Sequence, residues 1–133
     1  MKFKNFIMSI WQLPQHIVGL IVKKVSKATP YTTYKDANVY FWNISGGLSL
    51  GKYIFVPNHN NINITEKRMQ QMIKHEYGHT IQSRYLGWLY LIIIGLPSLI
   101  WAGCFQWYRD KTGTSYYDFY TESSADFLGG VER

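Results

Sequence analysis

Two histidines near the middle of the chain have the spacing of a metal site. His75 and His79 stand four residues apart in the run HEYGH. Side chains at that spacing on a helix lie about 5–6 Å apart between their Cβ atoms, so both imidazoles can reach one ion. Zinc accepts such nitrogens at about 2.0–2.1 Å. The alternative is a pair of surface histidines on an amphipathic helix that bind no metal.

Glu76 lies beside the first of these histidines around the helix, too far displaced to complete the same tetrahedron. Zinc lowers the pKa of a bound water toward about 7, and a neighbouring carboxylate can take its proton. The pattern therefore predicts Glu76 as a general base. Gly78 is expected to leave room beside the metal.

A catalytic zinc needs a third protein ligand. A longer motif with a third histidine is absent, because position 85 is Tyr85. Downstream, Glu122 and Asp126 share one helical face, and the small Ala125 between them allows another helix to approach. One carboxylate would bind zinc while the other accepts the free N–H of a ligand histidine. The histidines outside the motif, His16 and His59, have no spacing that marks them as ligands.

HEYGH followed by ESSAD resembles the gluzincins, the thermolysin-like clan of zinc metallopeptidases. The resemblance covers the two helices that would carry the ligands. It implies that His75, His79 and Glu122 bind one zinc ion, that Glu76 is the general base, and that Asp126 orients His75. The chain is also similar to a bacterial group of small metallopeptidase-like proteins.

No charged residue occurs between Arg84 and Arg109. The segment 85–108 is long enough to span a bilayer. A span would place Glu122 on the far side from His79, and Gly95, Pro97 and Ser98 interrupt it. We therefore expect an apolar helical hairpin that turns at 95–98, either buried in the domain or dipping into the bilayer.

The remaining elements predict a mostly helical α+β domain covering 1–133, a minimal zincin-like fold. Strands are expected at 39–42 and 48–56, with a turn at 43–47. An active-site helix should begin at Glu66 after the N-cap Thr65 and end at Leu86 before Gly87. A C-terminal helix should begin at 116 or 118 and end at 128.

The N-terminal region 1–30 is basic. Lysines supply all its charges, and the first acidic residue of the chain is Asp36. Apolar residues recur there at steps of three and four, which predicts an amphipathic helical segment broken near Pro14. It would lie on an anionic membrane surface or pack on the core. No nucleic-acid module is evident, so no nucleic-acid partner is expected. No cleavable signal peptide is evident either, and a bacterial cytoplasmic or membrane-associated location is expected.

Composition limits the class of protein. The chain has 133 residues, 47% of them hydrophobic and 17% aromatic, with a net charge of +6. This excludes a disordered chain and leaves room for one domain. A single cysteine excludes a disulfide framework.

The expected activity is hydrolysis of a peptide or protein substrate through a zinc-bound water that Glu76 activates. The alternatives are a membrane-associated zinc-binding or scaffold protein without catalysis, and a zinc hydrolase of a non-peptide amide. The strand 48–56 could pair with an extended substrate backbone. A further donor to the oxyanion is also expected. The candidates are Tyr116, Tyr117, Tyr120 and His59.

Overall fold

The computed structural model describes residues 2–58 and 63–133. In this part of the chain the fold is α+β and mostly helical, as predicted. The elements, in chain order, are α1 Lys2–Trp11, α2 Leu13–Val25, β1 Thr29–Tyr34, β2 Ala37–Trp42, β3 Leu48–Leu50, β4 Tyr53–Pro57, α3 Glu66–Leu86, a 3₁₀ turn Gly87–Leu89, a π-helical turn Leu91–Gly95, α4 Leu96–Cys104, α5 Gln106–Thr112, a 3₁₀ turn Tyr116–Asp118 and α6 Tyr120–Gly129.

The strands form one mixed sheet in the order β1-β2-β4-β3. β2 and β4 are parallel, and the two outer pairs are antiparallel. The expectation of a single strand at 48–56 was wrong, because the chain reverses at Gly51, whose φ of +64° suits a residue without a Cβ. β3 and β4 are therefore a hairpin, and β3 is an edge strand. β1 was not predicted.

The sheet is the middle layer of the domain. Alternate residues of β2 and β4 point to opposite faces. On one face Val39 and Ile54 pack against Ile73 of α3, and on the other Trp42 and Phe55 meet α2. This layering fixes α3 across the sheet from α2.

Helix α3 has the limits that the sequence predicted. Thr65 caps it by accepting a hydrogen bond from the Arg68 amide at 3.2 Å, and Gly87 ends it with a φ of +54°. These are the ordinary chemical signals for helix ends.

Helices α3 and α6 lie against one another with almost no space between their backbones. A Cβ on Gly78 would lie 1.9 Å from the carbonyl oxygen of Ala125, and one on Gly129 would lie 2.0 Å from that of Lys74. The expected role of Gly78 is corrected: its missing side chain admits the backbone of α6 rather than making room for a metal. Ala125 allows the close approach, as expected. The last helix starts at Tyr120, because residues 116–118 form a separate 3₁₀ turn with its own Ser115 cap.

The apolar segment turns at a different place from the one predicted. The axis bends by 118° between Glu66–Leu89 and Leu91–Cys104, whereas 95–98 is helical. Pro97 lacks the N–H that would bond the Ile93 carbonyl, and the Tyr120 hydroxyl donates to that carbonyl instead, at 2.7 Å. This contact from α6 lets the helix continue through the proline. Glu122 nevertheless lies on the same side as His79, and the hairpin was predicted for that reason.

Within the described residues, no single helix is both long and apolar enough to cross a bilayer. The two pieces that meet at the bend satisfy length and composition only when taken together.

Candidate metal centre

Two helices bring the three predicted ligands together. His75 and His79 project from α3 with ring centroids 4.9 Å apart, and Glu122 reaches them from α6. The Oε1 atom of Glu122 lies 2.9 Å from Nε2 of His75 and 3.0 Å from Nε2 of His79. All three residues are buried.

A carboxylate holds the other nitrogen of His75. Its Nδ1 lies 2.6 Å from Oδ1 of Asp126 and donates to it, so loss of the proton on Nε2 would leave the lone pair of that nitrogen for an ion. Arg133 donates to Asp126 from Nε at 2.7 Å and from a terminal nitrogen at 3.0 Å. Burial raises the pKa of Asp126, but Arg133 and His75 lower it more, so the carboxylate stays charged.

Gln82 contacts Nδ1 of His79 as Asp126 contacts Nδ1 of His75. The sequence pattern did not predict this role for Gln82. The amide nitrogen of Gln82 donates to the carbonyl of Thr121 at 3.1 Å and to Oγ of Ser124 at 2.7 Å. With both amide protons used, its oxygen faces Nδ1 of His79 at 2.7 Å and accepts a hydrogen bond from it. The only sequence signal was its position three residues after His79, on the same helical face.

The second oxygen of Glu122 is held by two hydroxyl groups. Ser98, from the apolar segment, and Thr121 both donate to Oε2. Burial raises the pKa of Glu122, but hydrogen bonds from His75, His79 and Ser98 keep it far below its ordinary value. The carboxylate thus presents one oxygen to the histidines while the other is occupied.

The donor set could hold a metal ion. Two imidazole nitrogens and one carboxylate oxygen are a common catalytic combination. Bonds of about 2.05 Å at tetrahedral angles would separate ligand atoms by roughly 3.3 Å, and the two distances to Glu122 are 2.9 and 3.0 Å. Binding an ion would therefore require Oε1 of Glu122 and the two imidazole nitrogens to move apart by only a few tenths of an ångström. Among the described residues, these three are the group that could hold a metal.

The surroundings favour positive charge between these ligands. Burial lowers the pKa of His75, but Glu122, Glu76 and Asp126 override it and raise the pKa to about 9. Burial also lowers the pKa of His79, and Glu122 and Glu76 raise it overall. A divalent cation between these ligands would supply the positive charge that the carboxylates stabilise.

Glu76 is buried next to the ligand cluster. Burial raises its pKa, and the nearby His79 and His75 offset part of that rise. A Cβ on Gly47 would lie 2.6 Å from Oε2 of Glu76, so the backbone before β3 comes directly against the carboxylate. Only glycine allows this approach without moving Glu76.

The candidate oxyanion donors lie in different environments. Tyr116 lines the same cavity as Glu76 and Glu122, and burial with the charges of these two carboxylates raises its pKa well above the ordinary value. Tyr117 packs edge-on against His75, with centroids 5.3 Å apart. The Tyr120 hydroxyl is bonded to the Ile93 carbonyl in the apolar segment. His59 lies outside the described residues.

Two cavities meet at Glu76. The larger, about 410 Å³, extends between α2, β3 and α4 and is mostly apolar. The smaller, about 260 Å³, extends past His75, Arg68 and Tyr117. Both contain Gly47 and Tyr116 in their walls. The cluster thus lies in a cleft that continues on both sides of Glu76.

Comparisons with known proteins identify no relative. No family model matches the chain, and no curated protein or solved structure matches it significantly.

Proposed function

We propose that the protein is a zinc-dependent peptidase with Glu76 as its general base. The observation that carries the proposal is the convergence of Nε2 of His75, Nε2 of His79 and Oε1 of Glu122. Each imidazole is fixed in the required tautomer by a partner on its other nitrogen, Asp126 or Gln82. Histidines that bind metals almost always have such a partner on their other nitrogen, which supports the proposal.

Zinc held by His75, His79 and Glu122 would supply Lewis acidity, which polarises a carbonyl group and acidifies a water molecule. The proton transfers would be carried out by a side chain of the protein. Burial makes the carboxylate of Glu76 a better proton acceptor than an exposed one. It would take a proton from the attacking water and deliver it to the leaving amine.

Tyr116 is the best-supported donor to the developing oxyanion. A tyrosine hydroxyl is protonated at neutral pH, and burial with the nearby carboxylates raises the pKa of Tyr116 further above its ordinary value. The residue is held in place by the indole of Trp101, which donates to its backbone carbonyl at 2.8 Å, and by Arg109 over its ring at 5.3 Å. A donor fixed before the reaction stabilises a transition state without reorganisation.

An extended peptide suits the cleft. β3 is an edge strand beside α3, tied to it by Ser49 and Thr80, whose hydroxyl oxygens are 3.0 Å apart. The Ser49 carbonyl accepts from Tyr90 at 3.2 Å, so a substrate strand would share that acceptor. An apolar side chain would enter the larger cavity, between Leu96 and Leu99.

A non-catalytic zinc site is the second candidate. Structural zinc is usually closed by four protein ligands, whereas the group among the described residues has three. The buried Glu76 and the cleft on either side also favour catalysis over a purely structural ion.

The test combines metal analysis with peptide cleavage. Zinc-loaded wild type is incubated with a peptide mixture, and products are identified by mass spectrometry. Glu76→Gln should keep one zinc and lose cleavage by at least about a hundredfold. Glu66→Gln, an exposed glutamate at the start of the same helix, is the matched control and should cleave normally. Equal cleavage by Glu76→Gln and wild type would refute the proposal, as would wild type that binds zinc and cleaves no peptide.

A further inference from the structure

The inward side of the N-terminal helices carries polar residues beside Val18 and Val22, which pack on the sheet. Gln12 and Gln15 are buried. The amide nitrogen of Gln15 donates to Oγ of Ser83 at 2.7 Å and to the Gly87 carbonyl at 2.8 Å, and Ser83 donates to Gln12 at 2.7 Å. An amphipathic helix on a protein core normally buries its apolar side, but most of the large apolar residues of α1 and α2 are exposed.

The apolar side of these helices faces outward. Eight of its residues are 42% to 74% exposed: Phe3, Phe6, Ile7, Ile10, Leu13, Ile17, Leu20 and Ile21. Their steps of three and four place them along one stripe. Eight large apolar side chains exposed along one stripe are unusual on a monomer in water and mark an interaction site.

The bent apolar segment extends this stripe. Trp88 donates from its indole to the Ile10 carbonyl at 2.8 Å, and Trp11 donates to the Arg84 carbonyl at 2.8 Å. In the part of the segment between 88 and 99, five large side chains are more than half exposed: Trp88, Leu89, Ile92, Leu96 and Leu99. We call these five, together with the eight of α1 and α2, the apolar docking face.

The charged side chains of α1 and α2 have one sign. Lys4, Lys24 and Lys27 are exposed, and no acidic residue occurs before Asp36. Lys24 follows Leu20 and Ile21 by one helical turn, so its ammonium group can extend past the apolar stripe. Two copies meeting through this face would bring like charges together. An anionic surface with an apolar interior complements both features.

We propose that the apolar docking face inserts into the headgroup region of an anionic lipid bilayer. Amphipathic helices with lysines and tryptophan bind such surfaces through apolar burial and attraction to anionic lipids. The larger cavity shares Leu96 and Leu99 with this face. If the protein is the peptidase proposed above, on which this step rests, its substrates are peptide segments presented at the bilayer surface.

The test is flotation of the full chain with vesicles. Wild type should float with vesicles of phosphatidylcholine and phosphatidylglycerol at 7:3, and less at high salt or with phosphatidylcholine alone. Replacing Leu20 and Ile21 by serine should release it, because their apolar area is lost. Lys24→Glu with Lys27→Glu should weaken binding at least about tenfold.

Lys67→Glu with Lys74→Glu is the matched control, with the same change in charge. Both lysines are exposed on the first half of α3, and Lys67 lies about 30 Å along the helix from Gly87. This pair should float nearly as wild type does. Circular dichroism checks that each variant is folded.

The proposal is overturned if wild type fails to float, if it binds neutral vesicles equally well, or if both charge pairs reduce binding equally. A stable dimer that ignores vesicles would assign the face to a second copy and also overturn it. Glu76→Gln should float like wild type, so a failure of the peptidase proposal is distinguishable from a failure of membrane docking.

Discussion

Replacing Gly78 by alanine tests whether the contact between α3 and α6 sets the metal centre. The added Cβ would lie 1.9 Å from the Ala125 carbonyl oxygen. Restoring an ordinary contact of 3.4 Å needs a shift of about 1.5 Å, and a backbone carbonyl within a helix cannot rotate away. The two helices must therefore separate.

That separation acts directly on the ligands. His75 and His79 are on α3 and Glu122 is on α6, with ligand atoms 2.9 and 3.0 Å apart. Metal bonds tolerate deviations of only about 0.2 Å, so a shift of more than 1 Å leaves two ligands where there were three. We expect the zinc affinity of Gly78→Ala to fall by at least about a hundredfold.

Stability should also decrease. Overpacking a tight contact costs about 1–3 kcal/mol, and the better helix propensity of alanine offsets about 1 kcal/mol. The net loss is therefore up to about 2 kcal/mol, which corresponds to a melting temperature lower by up to roughly 8 °C for a chain of this size. Zinc affinity is measured by chelator competition well below that temperature, so that unfolding does not contribute.

Gly103→Ala is the matched control. Gly103 lies in α4, and a Cβ there would meet nothing within 4 Å. This variant should gain up to about 1 kcal/mol of stability from helix propensity and keep its zinc affinity. Wild-type zinc binding and melting temperature in Gly78→Ala would refute the reasoning that helix contact positions the ligands.

Three further results are expected. Gln82→Ala should lower zinc affinity about 10- to 100-fold while the fold persists, because Nδ1 of His79 loses its acceptor; chelator competition measures this, and wild-type affinity would contradict it. Zinc affinity should rise with pH up to about 9, because the raised pKa of His75 means that zinc displaces a proton there; calorimetry in buffers of different ionisation enthalpy should detect the released proton, and a pH-independent affinity would be the contrary result. Burial, aided by the charge of Lys52, lowers the pKa of His16, and its Nε2 accepts a hydrogen bond from the Lys52 amide at 3.2 Å. The contribution of His16 to the free energy of unfolding should therefore be full above about pH 6.5 and should be lost as the pH falls through the folded pKa. Wild type should accordingly lose more stability than His16→Gln between about pH 7.5 and 5.

Local chemistry made part of the fold predictable. Helix α3 begins and ends where Thr65 and Gly87 indicated, because caps depend on neighbouring residues. The candidate ligands His75, His79 and Glu122 lie together as expected. Helical spacing indicated the two histidines, and the resemblance to the gluzincins implied Glu122. The hairpin of β3 and β4 was missed because an apolar run shows no reversal until Gly51 is seen to adopt a positive φ.

The errors came from contacts between distant parts of the chain. Pro97 indicated a turn, but Tyr120 of α6 satisfies the carbonyl that the proline leaves free. Gln82 was overlooked because a neutral amide carries no charge pattern, and its role depends on the two acceptors that orient it. Periodicity located the stripe on α1 and α2, but it could not show that the stripe faces outward.

Two departures from regular helix geometry in the apolar segment precede the residue whose hydroxyl contacts Oε2 of Glu122. The π-helical turn Leu91–Gly95 precedes Pro97, and the next residue, Ser98, donates to Oε2 of Glu122. A π-helical turn holds one more residue than an α-helical turn, and such turns are frequent at functional sites. Without the extra residue, everything after it would rotate by about 100° around the helix axis. The Ser98 hydroxyl would then point away from Glu122, so the irregular turn is the feature that directs this hydroxyl to the third ligand.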